Sequence, residues 1–535
     1  MTGRALSVVV ALMLAPGLAR SDPGSPEPKP EPQGQQGGTA PSEATKPKVP
    51  PELANRADFT LTLTTLDALH KKGMMTDEEY NAALRDLISV GMKAATSPTF
   101  VLARFVTTFY GYLEGDVIHD SQRVVTDGYG GHPTLNLNGT FAGDNGRTVF
   151  GSRGTRLGFR FAAPAVEGVR VRGLFEMDFV GNQPINPASP ATRAGSATSL
   201  AGTEANFFTN PTARLRHGLL QVETDIVTLW VGQTWNLMAF EAAYLPTSVQ
   251  TQGLPGQLFG RNPQVRLSKT VDLKAVSVEV AGAAVRPPQM DSEIPDLQGG
   301  LKINVPTWTG VQSIGSTATT ISPLSVAVTG AYRWFKLANA TTFNGVATGT
   351  NQNATTNVNG SVIAVDAFIP VIRATQRGTP AFSLLGEYTK GSGYADLFSG
   401  LSGGAAINAP TGVTTAQYAQ FVNIDAGNVG WDTSGILRTI NWRTVLLDAQ
   451  FSVGNWVLAG NYSNVYSDNM LSFTGANWYQ QVWWDVNLIW DPWPGVRFGL
   501  EYARSLQRKV PSTNPSSSNK LANNSRVMFA GFFLF

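Results

Sequence analysis

The chain of 535 residues contains no cysteine. That excludes disulfides, thiol catalysis, cysteine-based metal centres and lipid attachment through an N-terminal Cys. Histidine is nearly as scarce: His70, His119, His132 and His217 lie far apart. A histidine metal site or a hydrolase centre with a histidine base has little to draw on. No enzymatic activity, cofactor or metal is therefore expected. Charged residues make up only 15% and net to +2, so no broad basic field argues for nucleic acid. Long apolar runs are missing too. After the first twenty residues, no stretch reaches the roughly 18 apolar residues of a spanning helix. If the protein crosses a membrane, it does so with strands closed into a barrel.

The N-terminal fifth of the chain has three parts. Residues 1–19 read as a secretory leader, with Arg4, an apolar run from Leu6 to Ala15, and small residues at Gly17 and Ala19. Residues 20–59 form a Pro-rich linker that holds nothing to build a core. Residues 60–95 read as a helical hairpin, placed on the periplasmic side. Leu61, Leu63, Leu66 and Leu69 give one apolar face, and Gly73 suits a C-terminal cap. Thr76 to Glu79 spells a capping box that opens a second helix. Such a hairpin fits an oligomerisation module, or a tether between outer membrane and cell wall.

From residue 100 to 535 the apolar period is two. Strands are expected near 101–119, 148–162, 169–180, 212–223, 226–234, 263–271, 274–286 and 297–305. Eight more are expected near 323–336, 358–371, 380–390, 440–453, 455–466, 479–490, 495–505 and 525–535. Sixteen is the even number a single-chain barrel needs. Short connections alternate with long ones rich in Gly, Asn, Ser and Thr, again as in a barrel. Residues 306–322 break that rule, being too long for a turn. The last strand ends in Phe535 behind Phe529, Phe532 and Phe533, the kind of terminus read by the barrel assembly machinery. Trp478, Tyr479, Trp490 and Trp493 fall near strand ends, where an aromatic girdle would meet outer-membrane lipid and lipopolysaccharide. The fold expected is an all-β, sixteen-stranded antiparallel transmembrane barrel.

Within that pattern the polar face is informative. In residues 169–181, VRVRGLFEMDFVG, Arg170, Arg172, Glu176 and Asp178 share a face. On a lipid face at mid-depth each charge would cost about 2–4 kcal/mol, so these residues must line the interior. Residues 1–100 hold 10 of the 40 basic and 11 of the 38 acidic side chains, leaving 30 and 27 for the barrel. Of those 30, 23 are Arg, whose planar fork grips carboxylates. Arg153, Arg156, Arg160, Arg170, Arg172, Arg214 and Arg216 fall on neighbouring strands, with Arg261 and Arg266 following. Glu114, Asp116, Glu176 and Asp178 would lie opposite or beside them. Two readings stay open: an anion-attracting constriction, or ion pairs that hold the wall together. Gln233, Asn236, Tyr110 and Tyr112 are candidate hydrogen-bonding groups for a solute. By alternation, His217 falls on the face away from Arg214 and Arg216.

Six stretches, taken together, resemble the DcaP-like family of trimeric outer-membrane porins. They are FYGYLEGDVIHDS (109–121), GTRLGFRF (154–161), GLFEMDFVGN (173–182), RLRHGLLQVET (214–224), LWVGQTWNLMAF (229–240) and GRNPQVRLSK (260–269). The family pattern usually has Ser after GQTW; here Asn236 stands there. The resemblance implies a sixteen-stranded barrel in a Gram-negative outer membrane and a homotrimer. It also implies passive uptake of small anionic solutes such as dicarboxylates or aromatic acids, and a third loop, Trp235–Asn262, folded into the pore. A weakly selective or phosphate-type porin is the alternative.

Overall fold

Alternating side chains become a closed wall in the computed structural model of the chain. It describes residues 57–73, 75–77, 79–85, 99–102, 105–123, 135–166, 168–181, 211–249, 253–287 and 292–314. It further describes 318–338, 342–343, 346–347, 355–398, 427–432, 437–473, 478–510 and 521–535. The leader and most of the Pro-rich linker lie outside them.

The strands are β1 (Phe105–Asp120), β2 (in two segments, Arg147–Gly151 and Arg156–Ala162), β3 (Arg170–Gly181), β4 (Thr212–Glu223) and β5 (Thr228–Trp235). They continue with β6 (Arg261–Leu273), β7 (Val276–Val285), β8 (Asp296–Ile314), β9 (Ala318–Ala338), β10 (Thr355–Ile372) and β11 (Ala381–Ser392). The last are β12 (Asn441–Val453), β13 (Trp456–Tyr466), β14 (Trp478–Trp493), β15 (Val496–Lys509) and β16 (Leu521–Leu534). Each pairs antiparallel with its neighbour, and β16 closes on β1 from Tyr112↔Leu534 to Asp120↔Arg526. A four-residue strand, Thr99–Leu102, extends the pairing at the foot of β1.

All sixteen expected spans hold strands. Residues 306–322 are no long turn, because β8 and β9 run on through them and only 315–317 intervene. The register shifts between Val305 and Thr309, beside Pro306 and opposite Pro323. Proline has no ladder N–H and sits at such irregularities. That shift breaks the two-residue period and hides the strand from a sequence reading.

Faces sort as a barrel requires. On β1, Leu113 is 52% exposed on the outer face, while its neighbour Glu114 is 5% exposed on the inner one. On the outer face near the short turns, Trp456 stacks on Trp490 at 5.0 Å, and Trp493 and Phe498 extend the cluster. Trp478, expected in a girdle, instead turns inward and is fully buried against Trp442. The register shift between Trp478 and Gln480 reverses its parity.

Ahead of the barrel, helix α1 (Ala57–Lys71) ends at Gly73, whose φ of 69° is the left-handed cap. Thr76 and Glu79 form the reciprocal capping box: the Thr76 N–H donates to Glu79 Oε2 (2.9 Å) and the Glu79 N–H to Thr76 Oγ1 (3.2 Å). Leu66, Tyr80 and Leu84 bury together with Val101 of the short strand. Leu87 and Ile88 lie outside the described residues.

Candidate functional site

Between β5 and β6, residues 236–249 and 253–260 fold into the lumen. Irregular backbone shielded from water must find partners for its N–H and C=O groups, and the barrel wall supplies them. The Leu237 N–H donates to Gln298 Oε1 (3.0 Å) and the Ala239 N–H to Thr329 Oγ1 (2.9 Å). Three carboxylates take the next donors: Thr247 N–H to Asp448 Oδ2 (2.6 Å), Val249 N–H to Glu501 Oε2 (2.8 Å) and Leu258 N–H to Glu387 Oε1 (3.0 Å). The Thr247 carbonyl accepts from Asn461 Nδ2 (2.5 Å) and Asn487 Nδ2 (2.9 Å). Apolar side chains seat the rest. Leu237, Phe240, Tyr244 and Leu254 pack on Ala281, Ala283, Ala327, Phe368 and Trp483 of the wall. Small inward residues there leave the room the loop fills.

Two loop residues are held in the left-handed region, Ala239 (φ 61°) and Phe240 (φ 45°). Such conformations cost of order 1–3 kcal/mol each and persist only where the surroundings over-determine them. Gly256 has φ +78°, and a Cβ there would lie 2.2 Å from Val465 Cγ2. Glycine is required on both counts.

The arginines gather on the first strands. Arg214 grips Asp178 with its fork (Nε–Oδ1 2.9 Å, Nη2–Oδ2 2.6 Å). Arg216 bonds Glu176 through Nε and Asp178 through Nη1 (3.0 Å). Arg156 stands 4.0 Å from Glu176 and over the Tyr112 ring at 5.2 Å. Arg160 lies over Tyr110 at 4.0 Å. Arg261 stacks on Trp235 (4.6 Å) and Phe259 (5.4 Å), and Arg266 on Trp230 (5.0 Å). Neither Arg160 nor Arg261 has an ion pair among the described residues. Arg153 is buried in the break between the two segments of β2, beside Gly154. A Cβ on Gly154 would lie 1.8 Å from Glu114 Oε2, so the Glu114 carboxylate rests against that bare backbone. Asp116 is buried on β1. These neighbouring strands thus carry seven such arginines and four carboxylates, and the ion pairs gather on Glu176 and Asp178.

Arg170 and Arg172 stand apart. They sit at the short-turn end, partly exposed, 3.0 and 3.5 Å from Glu223. Gln233 is also not where a solute would meet it; its Nε2 donates to the Leu215 carbonyl (2.8 Å). Asn236 Nδ2 donates to Asn262 Oδ1 (2.9 Å) at the root of the loop.

His217 corrects the alternation reading. It is fully buried on the inner face beside Arg216, with Nδ1 2.9 Å from Thr234 Oγ1 and Nε2 3.7 Å from Glu176. The pairing Glu176↔His217 is followed by Met177↔Leu215, so Arg216 is an extra residue. A bulge of this kind turns two successive side chains the same way. Gln233 satisfies the carbonyl this bulge frees.

The carboxylates that seat the loop were absent from the expected site. Glu387, Asp448 and Glu501, with Asp366 and Asp485, occupy inner-face positions of β10–β15. Alternation alone would have placed them in the lumen. Their role depends on a loop whose course no local pattern encodes.

Near the short turns the lumen opens into a cavity of about 620 Å³. Tyr110, Tyr112 and Val457 are among its lining residues. Its lining includes Arg156, Arg160, Arg377 and Arg497, and a single side-chain carboxylate, Asp491. Arg497 pairs with Asp491 at 2.6 Å.

No protein-family model matches the chain, and no curated protein matches it. Solved structures do. The outer-membrane channel DcaP of Acinetobacter baumannii superposes with a TM-score of 0.51 at 15% identity, over 81% of this chain and 97% of that one. The trimer form of OmpT from Vibrio cholerae gives 0.42 at 12%, over 81% and 99%. An anion-selective porin from Comamonas acidovorans gives 0.40 at 10%, over 80% and 99%. The likeness to DcaP establishes a shared barrel fold, in agreement with the resemblance read from residues 109–270.

Proposed function

We propose that this chain is a DcaP-like outer-membrane porin that lets small anionic solutes, dicarboxylates or aromatic acids, diffuse through an arginine-lined lumen. One observation carries the reading: the cavity is lined by four arginines and one side-chain carboxylate. Selectivity in wide pores follows from fixed charge on the wall and at the constriction, and clefts lined by one sign concentrate counter-ions. Guanidinium groups stacked on Trp and Tyr keep their forks pointed for bidentate capture of carboxylate.

In this reading residues 1–19 direct export and are removed, and residues 20–95 remain in the periplasm below the short turns. The barrel acts as a homotrimer and performs no chemistry of its own. Proteoliposomes provide the test. Succinate should enter faster than a diamine of the same length, and removal of Arg160 and Arg261 should erase the difference. Equal entry of the two solutes into vesicles carrying the unaltered protein would refute the reading.

A further inference from the structure

The outer face of β11–β15 carries charge of one sign only. Its outward positions hold Lys390, Arg443, Arg504 and Arg508, and no Asp or Glu. Lys390, Arg443 and Arg508 are exposed. None of the four makes an ion pair among the described residues; Arg443 lies over the Tyr466 ring at 5.4 Å.

Their placement is ordered. Register partners run straight across five strands: Lys390↔Arg443, Arg443↔Tyr466, Tyr466↔Gln480 and Gln480↔Arg508. This is one polar row at the long-loop end. Arg504 lies four residues below Arg508 on β15, opposite Trp484. Beneath the row come Tyr388, Tyr462, Trp484 and Tyr502, all exposed on the same face. Aromatics of this kind mark the edge of the hydrocarbon layer. A cation on a barrel's lipid face costs several kcal/mol at the midplane and almost nothing at the interface. The row therefore sits at headgroup level. With neighbouring strands about 4.8 Å apart, Lys390 and Arg443 are adjacent, and Arg508 stands roughly 14 Å from Arg443.

We infer that this row is a docking site for the phosphate groups of a phosphorylated glycolipid, the lipopolysaccharide of the outer leaflet. Paired and single cations at that spacing suit a headgroup with more than one phosphate. Tyr466 and Gln480 between them offer hydrogen bonds to sugar, and the aromatics beneath meet the acyl chains. The inference concerns the outer wall and is independent of what passes through the lumen.

The test is binding of the full chain, folded in neutral detergent, to intact and to dephosphorylated lipopolysaccharide. Intact glycolipid should bind at least tenfold more tightly. The variant Lys390→Gln/Arg443→Gln/Arg508→Gln should lose roughly 100-fold, at about 1 kcal/mol per cation near a charged surface. Equal binding of the two glycolipids by the unaltered protein would overturn the proposal, and that comparison requires no variant. So would a folded variant that binds as the parent does. Phosphatidylglycerol micelles binding as tightly as the intact glycolipid would overturn the assignment to lipopolysaccharide.

Discussion

The two halves of the lumen spend their charges differently. On β1–β6, arginines outnumber carboxylates, and Arg160 and Arg261 stack on aromatic rings without an ion pair among the described residues. On β8–β15, three of the inward carboxylates and several amides are occupied by the backbone of the inserted loop. Asp448, Glu501 and Glu387 each accept from a loop N–H. One half therefore keeps arginines in excess of carboxylates, and the other commits three carboxylates to a fastening. A count of charged residues in the barrel, 30 basic against 27 acidic, conceals this division.

The comparison can be broken first within the arginine half, because its arginines are not equivalent. Arg216→Leu removes the partner shared by Glu176 and Asp178, leaving buried carboxylates uncompensated. Such losses cost about 3–5 kcal/mol, and thermal unfolding of the barrel in detergent should register the drop. Arg261→Ala breaks no ion pair among the described residues. It should shift ion selectivity toward cations in planar bilayers with little change in unfolding temperature. If both variants behave alike, the division between holding and attracting charge is wrong.

On the other half, Asp448→Asn with Glu501→Gln weakens two bonds from loop N–H groups to charged acceptors, each worth about 1.5–3 kcal/mol. Limited proteolysis should then cut between residues 237 and 259, and single-channel current should flicker, with selectivity preserved. Gly256→Val tests the same fastening from the steric side. Its φ of +78° and the approach to Val465 leave no room for a side chain. Strain of about 1–3 kcal/mol should unseat the loop locally and raise conductance. The smallest effect is expected from Arg170→Ala/Arg172→Ala. These partly exposed pairs with Glu223 are worth about 0–1 kcal/mol, and neither selectivity nor stability should move measurably.

Strand count, closure and the inward placement of the charged face were legible in the sequence because one physical rule, apolar side chains toward lipid, acts on every strand. What escaped follows from breaks in parity. The bulge at Arg216 turned His217 inward, the shift at Trp478 buried a residue expected in the girdle, and the irregularity near Pro306 hid the ends of β8 and β9. The arginine cluster was legible by residue type and spacing. The separation of Arg170 and Arg172 from it was not, since alternation gives a face but no depth along the pore. The carboxylate fastening was the least accessible, because it joins residues such as Thr247 and Asp448, 201 positions apart, through a loop with no period at all.

The central claim is that the excess of arginines over carboxylates on β1–β6, Arg160 and Arg261 above all, sets the ion preference of the pore. The reversal potential of the purified protein in a planar bilayer under a potassium chloride gradient addresses it directly. A potential of the sign set by chloride, collapsing toward zero in Arg160→Ala/Arg261→Ala, is the predicted result. A potential set by potassium, with open channels in the unaltered protein, would contradict the account.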